Sequence, residues 1–247
     1  MRKLVISMNI TLDGYVEGDR GELDWHLKLW SDDMARYSTA LLAAADTLLF
    51  GRMTFLQMQA YWKKKLGDAT LPREDEAFAD IFFNYRKVVF SNTLKKTTWN
   101  NSEVCVGDLK ETISAMKKQS GKNLLTVGSG QLSRSILYEG ITDELVLWIH
   151  PVLLGRGKLF FTREILLPRL QLADYRIFSS GVIAVKYRLS PTENDGTEFA
   201  SGNNETGLKS LIHNVSMWRS TEARCTATNW AVTQLWCVAS CSHQSIQ

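Results

Sequence analysis

The chain has 247 residues, a length that suits one generous domain or two small ones. Its residues are 45% hydrophobic and 22% charged, which is typical of a globular protein and excludes a disordered one. The formal net charge of +3 is too small for a protein dedicated to binding nucleic acid through its phosphates. The first residues lack the pattern of a secretory leader, and no apolar run is long enough to span a membrane, so we expect neither a targeting segment nor a membrane span. The four cysteines do not make a disulfide scaffold. We therefore expect a cytoplasmic protein.

The composition changes near residue 194. Only seven of residues 195–247 are charged, against 48 of residues 1–194. The later segment has no sustained helical or alternating period. Its Cys225, Cys237, Cys241 and His243 do not have the spacing of a tetrahedral zinc site. We predict one folded domain over residues 1–194, a weakly ordered tail over residues 195–247, and no metal site.

Strands and helices alternate along the first 194 residues. Apolar runs, helical spacing and capping signals predict the elements. In the first half they are a strand at 4–8, a helix at 32–45, a strand at 47–50, a helix ending at 59, a helix at 73–84 and a strand at 87–90. The second half has a helix at 108–121, a strand at 124–127, a helix at 128–138, and strands at 144–150, 171–178 and 182–189. This order predicts an α/β fold with a mixed, mostly parallel sheet, flanked by helices and with an antiparallel C-terminal edge.

Two of the predicted strand-to-helix junctions carry glycine. Gly51 and Arg52 follow one buried strand, and the Gly128-Ser129-Gly130 segment follows another. Glycine allows a ligand close to the backbone, and the free amides at the start of a helix attract an anion, beside which Arg52 adds a planar cation. Each junction alone also fits a tight turn, but the pair favours a nucleotide diphosphate. Ser91, Asn92 and Thr93 follow a third strand, where they suit either ribose contacts or a simple turn.

Other catalytic signatures are missing from the sequence. It contains no serine-nucleophile elbow and no zinc-protease motif, and residues 155–158 (GRGK) lack the spacing of a P-loop. Asp13, Asp24, Asp32 and Asp33 lie near the first strand and the helix after it. Any of them suits either proton transfer in a cleft or a turn or helix cap.

Six segments of the chain, taken in order, resemble the dihydrofolate reductase-like superfamily. They are residues 4–14 (LVISMNITLDG), 49–55 (LFGRMTF), 88–94 (VVFSNTL), 126–132 (TVGSGQL), 140–145 (GITDEL) and 151–157 (PVLLGRG). Together they look like the reductase domain of the riboflavin-biosynthesis deaminase-reductase and its stand-alone relatives, over about residues 1–190. The resemblance implies an NADPH-dependent reductase, commonly a homodimer, that acts on a small pteridine- or pyrimidine-like heterocycle.

The same resemblance implies roles for individual residues. The cofactor phosphates would be held by Gly51, Arg52 and Thr54, with Arg52 favouring NADPH over NADH, and the pyrophosphate would be surrounded by Gly128, Ser129, Gly130, Gln131 and Leu132. The adenosine side would be lined by Ser91, Asn92 and Thr93. The nicotinamide would be flanked by Ser7 and Met8, with the Asp13-Gly14 loop closing over it.

The substrate side is less constrained. Trp25 or Trp30 would form a wall of its pocket, and Asp33, or else Asp32, lies nearest to the carboxylate that dihydrofolate reductase carries on its first helix. No segment resembles the zinc-binding deaminase half, so we expect the stand-alone form. Alternatives are a true dihydrofolate reductase, a nucleotide-binding module without turnover, and an interaction protein in which the tail acts.

Overall fold

The computed structural model of the chain describes residues 1–65, 73–162 and 169–190, so the tail predicted at 195–247 lies outside the described residues. Its strands are β1 (Leu4–Thr11), β2 (Tyr15–Glu17), β3 (Ala45–Gly51), β4 (Arg86–Phe90), β5 (Ser102–Cys105), β6 (Asn123–Val127), β7 (Glu144–His150), β8 (Lys158–Leu159), β9 (Arg169–Ile177) and β10 (Ile183–Ser190). Its helices are α1 (Asp24–Leu27), α2 (Asp32–Ala43), α3 (Arg52–Lys65), α4 (Arg73–Asn84), α5 (Leu109–Lys118) and α6 (Gly130–Tyr138).

One large sheet organises the described residues. Its eight strands lie in the order β5-β4-β3-β6-β1-β7-β10-β9. The strands from β5 to β7 are parallel, whereas β10 runs antiparallel to both β7 and β9. The predicted α/β class with an antiparallel C-terminal edge is therefore confirmed. Strands β2 and β8 form a separate two-stranded ribbon.

The central strands of the sheet, β1, β3, β6 and β7, are buried on both faces, as continuous apolar strands require. On one face Phe50 and Trp148 belong to a cluster with Phe55 and Phe82, which come from α3 and α4. Along β1, Val5 belongs to the same cluster, whereas its neighbours Leu4 and Ile6 belong to the cluster of the opposite face, with side chains from α5 and α6. Helices therefore flank both sides of the parallel part of the sheet.

The structure adds elements that the sequence did not predict. Strands β2, β5 and β8 and helix α1 have two to four residues each, too few to show a hydrophobic period. Helix α3 runs past Gln59 to Lys65 because Trp62 continues its buried stripe. The predicted cap of α5 is confirmed, since the Asp108 carboxylate accepts a hydrogen bond from the Glu111 amide at 2.7 Å. No helix within the described ranges is both long and apolar enough to cross a membrane.

Candidate functional site

A cleft of about 780 Å³ opens where β1, β3, β4 and β6 end. That volume lies in the range of small-molecule sites, and parallel strands bind ligands at their carboxyl ends. The cleft is lined by many of the residues expected from the sequence, namely Met8, Gly51, Arg52, Thr54, Ser91, Asn92, Gly128, Ser129, Gly130, Gln131 and Leu132.

The two glycine junctions lie side by side because β3 and β6 are neighbours in the sheet. The amide of Gly51 donates a hydrogen bond to the Ser129 hydroxyl at 3.1 Å. A Cβ added at Gly51 would lie 3.7 Å from the Cβ of Leu132, which is ordinary van der Waals contact. The fold itself therefore accepts a small side chain at Gly51, so the glycine leaves space on the cleft side.

The chain enters α6 through two successive left-handed residues. Gly128 has φ of 67°, and Ser129 has φ of 59° although it is not glycine. The amide of Gly128 donates to the carbonyl of Ser7 at 3.2 Å, which fixes the turn to β1. The Ser129 hydroxyl is engaged with Gly51 and makes no cap for α6. The helix therefore begins at the cleft without a side-chain cap, which suits an anion.

Positive charge dominates the walls of the cleft. Arg52, Arg134 and Lys158 line it, and Glu17 is the acidic side chain among its lining residues. Glu17 is paired with Lys158, and the Arg134 guanidinium donates to the carbonyl of Leu159 at 2.9 Å. The cationic excess favours a ligand that carries several negative charges.

The β2–β8 ribbon covers one side of the cleft. A Cβ added at Gly157 would lie 2.1 Å from the carbonyl oxygen of Glu17, so only glycine allows this approach of the two chains. A Cβ at Gly130 would lie 3.3 Å from Cγ2 of Val16, so the ribbon also presses on the start of α6. Close packing here narrows the cleft over the glycine junction.

The Asp13-Gly14 turn supports the ribbon and does not line the cleft. The Asp13 carboxylate accepts from the amides of Leu154 and Gly155 at 3.0 and 2.8 Å. Burial raises the pKa of Asp13, but these hydrogen bonds and one from Thr11 outweigh it, and the pKa is lowered. The carbonyl of Gly14, whose φ is 85°, accepts from the amide of Phe160 at 2.8 Å.

The structure places Asp33 outside the cleft. Its carboxylate accepts from the amide and the hydroxyl of Ser179 at 2.9 and 3.1 Å, and from the Ser31 hydroxyl. Burial raises the pKa of Asp33, but the hydrogen bonds from Ser31 and Ser179 outweigh it and lower the pKa. An ionised carboxylate that joins α2 to the β9–β10 turn has no proton to donate to a ligand, so we do not assign Asp33 a catalytic role.

Four further expected residues also lie outside the cleft walls. Trp25 donates its indole N–H to the carbonyl of Glu22 at 3.2 Å, and Trp30 packs in the core with its ring 5.8 Å from that of Trp148. The Ser7 hydroxyl accepts from the indole of Trp148 at 3.0 Å inside the sheet. Thr93 belongs to a turn in which its amide donates to the Ser91 hydroxyl at 3.2 Å. None of the four contributes to the cleft walls, and Trp30 and Ser7 are core residues.

The β1 end of the cleft holds a polar group that the sequence did not reveal. Asn9 and His26 both line the cleft there. The Asn9 Oδ1 atom lies 2.8 Å from Nε2 of His150, which is fully buried at the end of β7. The rings of His26 and His150 are 5.7 Å apart, and Trp25 packs edge-on against both. Burial, together with His26, lowers the pKa of His150 to about 2, so its ring is neutral.

These features fit a phosphorylated dinucleotide. The uncapped start of α6, the open space at Gly51 and the cations of the walls are the groups that a pyrophosphate and a further phosphate require. Among the described residues, no cluster of three histidine, cysteine or acidic side chains could hold a metal ion.

Comparison with known proteins decides the family. The profile of the RibD C-terminal domain matches residues 2–184. The chain belongs to the RibD C-terminal domain family. The chain is also 31% identical to the Bacillus subtilis protein YyaP over 187 residues, which cover 75% of this chain and 94% of YyaP. The family expected from the six segments is confirmed.

Solved structures share this RibD C-terminal fold. A protein of Shewanella sp. PV-4, described as a riboflavin biosynthesis protein, matches with a TM-score of 0.61 and 21% identity, over 76% of this chain and 99% of that chain. The Thermotoga maritima diaminohydroxyphosphoribosylaminopyrimidine deaminase/5-amino-6-(5-phosphoribosylamino)uracil reductase matches with a TM-score of 0.54 and 16% identity, over 76% of this chain and 57% of that one. At these identities the likeness establishes the fold.

Several lining residues have no signal in the sequence. Asn9 lies inside an apolar strand, and Arg134 lies on α6 beyond the glycine turn. Lys158 belongs to the segment that fails as a P-loop, yet its ribbon brings it to the cleft. A helix position or a strand register decides their placement, and neither can be read from spacing alone.

Proposed function

We propose that this protein is an NADPH-dependent reductase that transfers a hydride to a small pteridine- or pyrimidine-like heterocycle. One observation carries the proposal: the two glycine junctions are joined by the Gly51–Ser129 hydrogen bond at a cationic cleft. Membership of the RibD C-terminal domain family supports a reductase, and a relative of the same fold is described as a uracil reductase.

The residues of the cleft would divide the cofactor between them. The pyrophosphate would lie against Gly128, Ser129 and Gly130, with the cations of the walls around it. Ser91 and Asn92, at the end of β4, would contact the adenosine, and Met8 on β1 would flank the nicotinamide. The bound cofactor supplies the hydride, and the chain supplies orientation, charge and exclusion of water.

Selection of NADPH over NADH would depend on Arg52. A guanidinium binds a phosphate through two parallel hydrogen bonds, which NADH cannot offer at the ribose. Titration of the protein with NADPH and NADH, followed by tryptophan fluorescence, tests this directly. Tighter binding of NADPH, lost in Arg52→Ala and kept in Arg86→Ala, is the expected result. Arg86 is the matched control because it pairs with Glu103 at the start of β4, the end of that strand away from the cleft.

A nucleotide-binding module without turnover is the second candidate. The placement of Asp33 outside the cleft favours it, because that residue was the expected proton donor. Oxidation of NADPH in the presence of dihydrofolate, pterins and aminopyrimidines separates the candidates. Turnover of dihydrofolate would favour a true dihydrofolate reductase, turnover of an aminopyrimidine would favour the first proposal, and saturable binding without oxidation would favour the module.

We also propose that the protein is a homodimer. Directly paired residues of β9 and β10 share a face, and the pairs Leu170–Leu189, Leu172–Tyr187, Tyr175–Val185 and Ile177–Ile183 are all apolar. On β9, Leu172 is 53% exposed and Tyr175 is 63% exposed. An apolar strip of this kind at the last strand of a sheet invites pairing with a second copy.

A further inference from the structure

The β1 end of the cleft has a donor whose direction is set from behind. Asn9 is 7% exposed and faces the cleft, and its only described side-chain partner is His150, at 2.8 Å. The other ring nitrogen of His150, Nδ1, is buried without a hydrogen-bond partner among the described residues. The hydrogen-bonding state of this one histidine therefore decides what Asn9 offers to a ligand.

Two tautomers of the neutral His150 ring are possible, and burial separates them. A proton on Nδ1 would leave a buried N–H with no acceptor, which is rare in folded proteins and costly. A proton on Nε2 leaves only an unpaired acceptor at Nδ1 and lets the ring donate to Oδ1 of Asn9. The second tautomer is favoured, and it fixes the Asn9 amide with its oxygen toward His150.

With its oxygen engaged, Asn9 has its NH₂ group left for the cleft. That group donates only, so the ligand atom that it meets must be an acceptor. Across the sheet the cleft runs from Ser91, which follows β4, through the glycine junctions at the ends of β3 and β6, to Asn9 on β1. A dinucleotide whose pyrophosphate lies at the junctions has one end at Ser91 and the other at Met8, so Asn9 lies on the substrate side.

We propose that Asn9, held by His150, selects the substrate by donating a hydrogen bond to a carbonyl oxygen of its heterocyclic ring. This inference rests on the proposed function, and it narrows the substrate to heterocycles with a ring carbonyl. An exocyclic amine at the same place would set donor against donor and leave the Asn9 amide unpaired in a nearly dry site. Asn9 is thus a specificity-determining residue, and His150 is a positioning residue behind it.

Two pyrimidines test the inference. 5,6-Diaminouracil carries two ring carbonyls, and 2,4,5,6-tetraaminopyrimidine carries amines in their places. Binding of each to the NADPH-saturated protein at pH 8 is measured by calorimetry. The wild-type protein should bind the uracil at least about tenfold more tightly, the usual effect of a buried donor left unpaired. The change Asn9→Asp, which turns the donor into an acceptor, should reverse the preference, and Asn9→Leu should abolish it.

Two further variants make the result specific. Asn123→Asp is the same chemical change at the start of β6, the end of that strand away from the cleft, and should keep the wild-type preference. His150→Phe keeps a ring and removes the N–H, so it should reduce the preference without reversing it, because Asn9 is then free to rotate. A purely structural role of His150 would lower thermal stability and leave the preference unchanged.

The outcomes separate this inference from the proposed function. Failure of the wild-type protein to bind NADPH would overturn the proposed function. Binding of NADPH with equal or no binding of the two pyrimidines would overturn the role of Asn9 and leave the cofactor site standing. Retention of the uracil preference by Asn9→Asp, in a variant that still binds NADPH, would overturn it as well.

Discussion

The amide of Gly51 donates to the hydroxyl of Ser129 at 3.1 Å, across 78 residues of sequence. This contact joins the start of α3 to the start of α6 at the cleft. It also explains why Ser129, with φ of 59°, is a residue with a hydroxyl and not glycine. The strained backbone is retained because the side chain holds the two junctions together.

Replacement of Ser129 tests this relationship. Ser129→Ala keeps the backbone strain and removes the hydrogen bond, so it should lower the free energy of unfolding by about 1 kcal/mol and weaken NADPH binding several-fold. Ser129→Gly also loses the hydroxyl but relieves the left-handed strain, so it should be the more stable of the two variants. Urea denaturation and fluorescence titration measure both effects. Full NADPH affinity in both variants would contradict a role for the contact in binding.

Gly51→Ala separates the needs of the fold from those of the ligand. The new Cβ would meet Leu132 at 3.7 Å, a distance at which nothing has to move. We expect a melting temperature close to that of the wild type, together with at least about tenfold weaker NADPH binding, because the methyl group occupies the space left for the phosphates. Gly128→Ala is a poorer test, since φ of 67° at that position strains any side chain. Unchanged affinity in Gly51→Ala would remove Gly51 from the site.

The sequence predicted the framework of the site better than its specificity. Buried strands and glycine junctions are local patterns, so the parallel sheet and the residues around Gly128 could be placed from spacing. Asn9 and His150 meet only because β1 and β7 pair in one particular register, with Thr11 opposite His150. Asp33 lies in sequence near the position expected for a carboxylate of the site, but its carboxylate accepts a hydrogen bond from Ser179 in the β9–β10 turn, 146 residues away. Register and long-range contacts of this kind leave no mark in a single sequence.

The apolar face of β9 and β10 predicts how the protein associates. We expect a dimer by size-exclusion chromatography with light scattering, and Leu172→Glu should convert it to a monomer, because a charge would be buried at the centre of the interface. Gln171→Glu is the matched control, since it adds the same charge to the neighbouring, opposite-facing position of β9. A monomeric wild type, or equal behaviour of the two variants, would contradict the proposed interface.

The buried His150 makes stability depend on mildly acidic pH. Its pKa is lowered from 6.5 to about 2, so below pH 6.5 the unfolded chain binds a proton that the folded chain refuses. The stability contributed by the neutral His150 ring is therefore fully present above pH 6.5 and is lost as the pH falls below that value. Between pH 7 and 5 the wild type should lose about 2 kcal/mol more than His150→Phe, as measured by urea denaturation. A parallel decline of the two proteins would show that His150 is protonated without penalty.

Lys87 gives a pH dependence of the same sign, but at alkaline pH. Its ammonium is fully buried, donates to the carbonyls of Phe82, Phe83 and Tyr85 at 2.6 to 3.1 Å, and lies 4.9 Å from the Trp99 ring centre. Lys87→Met keeps the aliphatic stem but leaves three carbonyls without this donor, so it should cost a few kcal/mol at pH 7.

Burial lowers the pKa of Lys87 from 10.5 to about 8. Between these two pH values Lys87 is protonated in the unfolded chain and largely neutral in the folded chain, so the folded state gains stability as the pH rises. The wild type should then gain stability relative to Lys87→Met, by about 2 kcal/mol between pH 7.5 and 9.5. The difference between the two proteins removes the contribution of every other titrating group that they share. A stability difference that stays constant over this range would show that the three carbonyls hold the charged form and keep the Lys87 pKa near its ordinary value.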